Sequence, residues 1–221
     1  MRDIKVTKNF INSENTSVLY ESGNTKVLIT VSISDRAPRW LENSDKGWLT
    51  AEYNMLPGSS DQRVSRKSFE GGRSKEISRL IGRSLRSVCD LGILNGYSIT
   101  VDCDVLDADG GTRTASITGG TIALCKALKK IGKENAVKNL VAAISVGVYK
   151  EGLLLDLNYE EDSNAECDVN IVMNEKLDFI EIQGTGEEKA FSKEQFNALL
   201  DLAESGIKDL FKLQNEIINS R

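Results

Sequence analysis

The chain contains no histidine. That removes Ser-His-Asp hydrolysis, histidine-ligated zinc and any histidine general base from the chemistry open to it. Catalysis would have to come from Asp, Glu, Arg, Lys, Ser, Thr or Tyr, and a metal would be a hard cation held by oxygen. Four cysteines, Cys89, Cys103, Cys125 and Cys167, are widely spaced and form no CxxC pair. They read as buried thiols of a reducing cytoplasm, not as a zinc site or a disulfide framework. No apolar run reaches the ~18 residues of a membrane helix, and no signal peptide opens MRDIKVTKNF. Aromatics make up only 6% of the residues, and Trp40 and Trp48 take no assignment from the sequence.

What is present suits one large or two small globular domains: 221 residues, 40% hydrophobic and 28% charged. The net charge of −5 is unevenly spread. Residues 58–90 hold eight Lys/Arg against four Asp/Glu, while residues 151–188 hold twelve acids against Lys176 alone. Such segments fit an anion-binding face beside a cation-binding one, or two solvated surfaces that neutralise each other.

Hydrophobic period sets the element order. TSVLYESGNTKVLITVSI reads as a hairpin turning at Gly23-Asn24, with Val27, Ile29, Val31 and Ile33 on one face. Residues 36–60, with Pro38 and Pro57, read as irregular. Ile77, Leu80, Ile81, Leu85 and Val88 form a helical stripe, with Arg79, Arg83 and Arg86 off it as a basic row. NLVAAISVGVYKEGLLLDLNY reads as two strands around Lys150-Glu151-Gly152, and DVNIVMNEKLDFIEIQG as two more joined near Asn174–Leu177. A final helix starts at Ser192, with Gln195 completing a capping box and Phe191 stapling to Phe196. Gly206 weakens that helix, and the tail INSR is expected to fray. The order suits an α+β fold of mixed α/β layers, with two βαβ-type lobes in one compact domain, residues 1–221, and a boundary near 130–140.

Three clusters could carry chemistry. The first joins two arginine turns. In GYSITVDCDVLDADGGTRTASITGG a strand with Tyr97, Ile99, Val101, Cys103 and Val105 on one face gives way to a helix through Gly110-Gly111-Thr112-Arg113. Gly71-Gly72 before Arg73 repeats that pattern at another helix start. Locally, glycines turn the chain and a threonine caps the helix. Chemically, the same residues can cradle a tetrahedral oxyanion at a helix N-terminus, with arginine as the fork. The second cluster, Arg63, Arg66 and Lys67 in DQRVSRKSFEGG, is an aperiodic basic loop, either an ordinary exposed loop or one suited to a phosphodiester backbone. The third holds Asp156, Glu160, Glu161, Asp162, Glu166 and Asp168. Asp162 and Asp168 flank a Ser-Asn-Ala turn, and two such carboxylates could hold Mg²⁺ with several waters or be plain turn acids.

Taken together and in this order, GWLTAEYNMLP, GGRSKEISRLIGRSLR, DCDVLDADGGTRTASITGG, LDLNYEEDSNAECDVNIVM and EIQGTGEEKAFS resemble the ribonuclease PH family over nearly the whole chain. The family consists of phosphate-dependent 3′→5′ exoribonucleases (nucleotidyltransferases) acting on tRNA precursors. The resemblance implies a ribonuclease PH fold, a cytoplasmic homohexamer built as a trimer of dimers, and tRNA precursors and other RNA 3′ ends as partners. It implies no DNA partner and no membrane. It further implies inorganic phosphate as co-substrate, bound by Arg73, Gly111, Thr112 and Arg113, with RNA contacts from Arg63 and Arg66. Asp162 and Asp168 match the catalytic, metal-associated aspartates, with Mg²⁺ (or Mn²⁺) as the ion. The chain begins almost at its first strand, without the Arg-containing leader of many members, and the loop before the second arginine cluster and IGKENAVKN are shortened. The alternatives are a catalytically silent exosome-type ring subunit, a hydrolytic metal-dependent nuclease and a plain RNA-binding module.

Overall fold

The computed structural model describes residues 1–12, 16–41, 44–150, 152–186 and 190–220. Glu151 of the expected Lys150–Gly152 turn, residues 187–189 of the EIQGTGEEKAFS run and the terminal Arg221 lie outside the described residues.

Alternation builds the first sheet. Its strands are β1 (Ile4–Lys8), β2 (Thr16–Ser22), β3 (Thr25–Ser34), β4 (Trp48–Met55) and β5 (Ser98–Asp107), in the order β1-β2-β3-β5-β4. The β2–β3 hairpin turns at Gly23, whose φ of 55° suits glycine, and at Asn24. Val27, Ile29 and Val31 on β3 stand opposite Val105, Cys103 and Val101 on β5, all buried. Residues 36–60 are more regular than their prolines suggest. Leu49, Ala51 and Tyr53 alternate inward along β4, which lies parallel to β5. A parallel pair needs a long crossover, and helix α1 (Gly72–Ser87) supplies it, making a βαβ unit. The expected stripe of α1 is its buried face.

The second sheet holds β6 (Val141–Tyr149), β7 (Gly152–Leu155), β8 (Cys167–Asn174) and β9 (Phe179–Gly186), ordered β7-β6-β8-β9 and antiparallel throughout. Between β7 and β8 lies a short helix, α3 (Tyr159–Ser163), which the sequence presented as an acidic turn. Asn158 and Glu161 close a capping box there, which is worth about 1 kcal/mol.

Helix α2 (Thr112–Lys130) touches both sheets. Its small residues explain how it fits: Ala115, Ser116, Thr118, Gly119, Gly120 and Thr121 are buried. Thr118 Oγ1 accepts from the Ala143 N–H, and Thr121 Oγ1 donates to Val141 O, both on β6. Helix α4 (Lys193–Asn219) begins with the expected Ser192/Gln195 capping box, and Phe191 and Phe196 lie 6.0 Å apart. Gly206 marks a close approach: a Cβ there would meet Ile144 Cδ1 at 2.7 Å. Of the INSR tail, Ile218 and Asn219 are helical and Arg221 lies outside the described residues. The helix continues to Asn219, and Lys8 Nζ donates to Ser220 Oγ at 2.9 Å.

The cysteines are free thiols, with Cys103, Cys125 and Cys167 buried and Cys89 partly so. Burial pushes the Cys89 and Cys125 thiols up to about 12. No helix among the described residues is long and apolar enough to cross a membrane.

Candidate active site

Two helix N-termini open on one cleft. It has a volume of ≈ 1930 Å³ and is lined by Arg63, Arg73, Gly111, Thr112, Arg113, Asp162 and Asp168, among others. Seven of the eight residues to which the family resemblance gives roles therefore meet there, from elements far apart in the chain. Arg66 is the exception; it is exposed but does not line the cleft.

The β5–α2 turn takes its shape from Gly110 and Gly111, with φ of 73° and 63°. A side chain at either would be strained by that backbone alone. It would also collide, since a Cβ on Gly110 would sit 2.5 Å from Leu157 O and one on Gly111 2.8 Å from Arg2 Nη2. Gly110 thus allows close packing against the 157–159 backbone, and Gly111 against the Arg2 side chain. The N-cap of α2 is the left-handed Gly111, without a side-chain cap, so the threonine cap of the local reading is not formed. Thr112 instead pairs its hydroxyl with Tyr53 OH at 2.8 Å, and Thr114 Oγ1 donates back to Gly111 O. Among the described residues no side chain caps the first N–H groups, which leaves the positive end of α2 to water or an anion.

Arg113 is held across the lobes. Its Nη1 donates to Gln183 Oε1 on β9 at 2.7 Å and lies 3.8 Å from Glu76 Oε1 on α1. Arg73 sits in the first turn of α1, whose N-cap Gly71 also lacks a side-chain cap. Burial pushes the Tyr53 phenol up, against the Thr112 hydrogen bond and the nearby Arg73 and Arg113 charges, which favour its ionised form. Two further arginines of α1 serve the scaffold. Arg83 pairs with Glu181 on β9, and Arg86 donates to Leu49 O and lies over the Trp48 ring, which packs edge-on against Trp40.

The basic loop is fixed at its base, with Val64 N–H donating to Pro57 O and Ala108 N–H to Ser59 O. The second bond ties the loop to the glycine turn, which brings Arg63 to the cleft. Asp162 lies in α3, not in a turn, while Asp168 is the second residue of β8. The burial alternation of β8 puts Cys167 and Val169 inside and Asp168 and Asn170 on the cleft side, which accounts for a carboxylate in an apolar strand.

A second network was not legible in the sequence. Arg2 donates to Asp109 O just before the glycine pair, and to Asp156 Oδ1, both at 2.6 Å. Ser22 Oγ donates to Asp156 Oδ2. Tyr53, Glu76, Gln183 and Arg2 gave no sequence signal, because their partners lie 59 to 154 residues away.

The chain is similar to known proteins over nearly its whole length. Residues 1–130 match the model of the 3′ exoribonuclease family, domain 1, and residues 139–206 that of domain 2. The chain is 52% identical to ribonuclease PH of Bacillus pumilus, over 98% of this chain and 93% of that one. It is 51% identical to ribonuclease PH of Bacillus subtilis, over 99% and 93%. Among solved structures, rice (Oryza sativa) Rrp46 superposes with a TM-score of 0.78 at 20% identity, covering 100% of this chain and 96% of that one. The Archaeoglobus fulgidus exosome with RNA bound gives 0.75 at 21%, covering 96% and 87%. The structural likenesses speak to the fold; the matching family models and the relatives identical at half their positions establish that the chain belongs to the ribonuclease PH family of 3′ exoribonucleases.

Proposed function

We propose that this chain is a phosphate-dependent 3′→5′ exoribonuclease that shortens tRNA precursors and other RNA 3′ ends. One observation carries the reading most directly: two uncapped helix N-termini, each with an arginine in its first turn, open on the same cleft as two carboxylates of the second lobe. Ribonuclease PH relatives at 51–52% identity support the same activity.

Phosphate is already anionic at neutral pH, so the attacking group needs no histidine base. It needs charge neutralisation and alignment, the main protein contributions to phosphoryl transfer. Arg73, Arg113, the Thr112 hydroxyl and the backbone of the Gly111 turn would hold it. One phosphate oxygen attacks the terminal phosphodiester phosphorus, a P–O–P bond forms, and the bond to the penultimate 3′-oxygen breaks. That oxygen takes a proton, and the products are a nucleoside diphosphate and an RNA one nucleotide shorter. Arg63, at the cleft, and Arg66, outside it, would steady the RNA backbone.

Asp162 and Asp168 suit a hard divalent cation, Mg²⁺ or Mn²⁺, since both are oxygen donors on an open cleft and two carboxylates leave room for the waters Mg²⁺ retains. Such an ion would supply charge stabilisation at the leaving oxygen. Assembly as a homohexamer, arranged as a trimer of dimers, goes with the family resemblance; the archaeal exosome core, which superposes with a TM-score of 0.76 at 21% identity, shares the fold.

The test is a tRNA with a 3′ extension incubated with and without phosphate. Nucleoside diphosphates released only with phosphate are expected. Nucleoside monophosphates released regardless of phosphate would favour a hydrolytic nuclease, and no release a silent ring subunit or RNA-binding module.

A further inference from the structure

Resting on the reading of Arg113 as a phosphate ligand, we propose that Gln183 is a positioning residue that keeps Glu76 from capturing the Arg113 guanidinium and so sets the affinity for phosphate. Three side chains from three elements meet at this point. Gln183 Oε1 on β9 accepts from Arg113 Nη1 at 2.7 Å, and Gln183 Nε2 donates to Glu76 Oε1 at 2.9 Å. The amide orientation follows from chemistry, since the guanidinium can only donate and the carboxylate can only accept. One amide therefore satisfies both charged groups and stands between them.

Glu76 remains close. Its Oε1 lies 3.8 Å from Arg113 Nη1, at the outer edge of an ion pair, with the arginine side chain 19% exposed and the glutamate 46%. A carboxylate at this position competes with phosphate for the same cation. Arginine and carboxylate close readily into a two-pronged pair, and such charge-assisted contacts are about twice as strong as neutral ones. The neutral Gln183 oxygen fixes the guanidinium without cancelling its charge, while the Gln183 amide N–H holds the carboxylate aside. The other donors of Arg113 stay available to an anion in the cleft. Because Gln183 sits on the second lobe and Arg113 and Glu76 on the first, the arrangement also makes phosphate affinity depend on the seating of the two lobes.

The experiment measures phosphorolysis of a 3′-extended tRNA against phosphate concentration for wild type, Gln183→Met, Glu76→Gln, the double variant and Arg113→Lys, with thermal melts. Gln183→Met keeps the side-chain length but loses both hydrogen bonds. It should raise the KM for phosphate about 5-fold, in the range of a partly exposed ion pair, and change kcat at saturating phosphate less than twofold. Glu76→Gln removes the competitor, so alone it should leave the phosphate KM equal or lower, and in the Gln183→Met background it should restore it. The Glu76→Gln single variant tests the competition even if Gln183→Met fails to fold, and a phosphate KM raised by Glu76→Gln would overturn the proposal. So would a Gln183→Met protein that folds with an unaltered phosphate KM, or a double variant without recovery. If Arg113→Lys itself leaves phosphate dependence and rate unchanged, the site reading fails, and this inference with it. If Arg113→Lys is impaired while the Gln183 and Glu76 variants match wild type, only the positioning role fails.

Discussion

Nη2 of Arg2 lies 2.6 Å from Oδ1 of Asp156, joining residues 154 positions apart at the seam between the two lobes. Asp156 is 6% exposed and adopts a left-handed backbone with φ of 61°, an uncommon conformation for a residue other than glycine. The surroundings hold it there. Its carboxylate accepts from Arg2 and Ser22, and its N–H donates to Ser145 O. Arg2 in turn grips Asp109 O, at the lead-in to the glycine turn.

Removing one partner of a buried pair strands the other, which commonly costs 3–5 kcal/mol. Asp156→Ala should therefore destabilise the chain by about 3 kcal/mol, read as a lower urea midpoint. It should also weaken phosphate binding, because Arg2 loses the anchor from which it holds the turn. An unchanged midpoint would mean that the pair contributes little to the seam.

Neighbouring glycines of α2 should respond with opposite signs. A Cβ on Gly119 would meet Ile29 Cδ1 at 2.5 Å and Tyr20 Cβ at 2.9 Å, whereas one on Gly120 finds nothing nearer than Leu85 Cδ1 at 3.6 Å. Gly119→Ala should cost ~1–3 kcal/mol by overpacking. Gly120→Ala should gain up to ~1 kcal/mol from helix propensity. Equilibrium unfolding of both variants decides the matter, and equal effects would refute the packing described for α2.

Sequence reading caught what is local and periodic. The β2–β3 hairpin was legible because Val27, Ile29 and Val31 alternate beside a Gly23-Asn24 turn, and the α4 start because Ser192, Gln195 and the two phenylalanines form a self-contained cap. Strand β4 was not, because Pro38 and Pro57 bracket an alternation of only Leu49, Ala51 and Tyr53. The cleft residues were identified through motifs and family resemblance, and most of them meet as expected. Their supports were invisible. Tyr53 behind Thr112, Gln183 beside Arg113 and Arg2 on Asp156 are tertiary pairings that leave no local pattern. The basic row on α1 shows the converse: spacing revealed the row, but only packing shows Arg83 and Arg86 occupied with Glu181, Leu49 and Trp48.

Two carboxylates on the outward side of β5 should make stability depend on pH. Burial raises Asp102, with Glu52 and Asp104 adding to it, and burial raises Asp104 against a hydrogen bond from Asn54. Raised folded-state values mean that the folded chain carries these ionised groups at a cost above those values. The cost disappears as pH falls through the raised values towards the ordinary 3.8, and below 3.8 nothing further changes. Asp102→Asn should accordingly raise Tm at pH 7 and lose that advantage as pH approaches 4. A benefit that persists unchanged at pH 4 would assign it to something other than charge.

The two loop arginines should separate. Arg63 lines the cleft and Arg66 does not. Arg63→Ala should weaken single-stranded RNA binding and flatten the slope of log K against log salt by about 0.7, the value for one released phosphate contact. Arg66→Ala should do less, and neither should alter the phosphate KM. Filter binding over a salt series gives the slopes, and a larger effect at Arg66 would reverse the assignment of the RNA path.

The central claim is that inorganic phosphate is the nucleophile, held by the Arg113 turn. ³²P-labelled orthophosphate supplied with an unlabelled 3′-extended tRNA tests it most directly. The account predicts label in the β-phosphate of every nucleoside diphosphate released, and a loss of ~10²-fold in that rate for Arg113→Lys with a normal melt, since lysine lacks the planar fork. Unlabelled nucleoside monophosphates, formed equally well without phosphate, would contradict it.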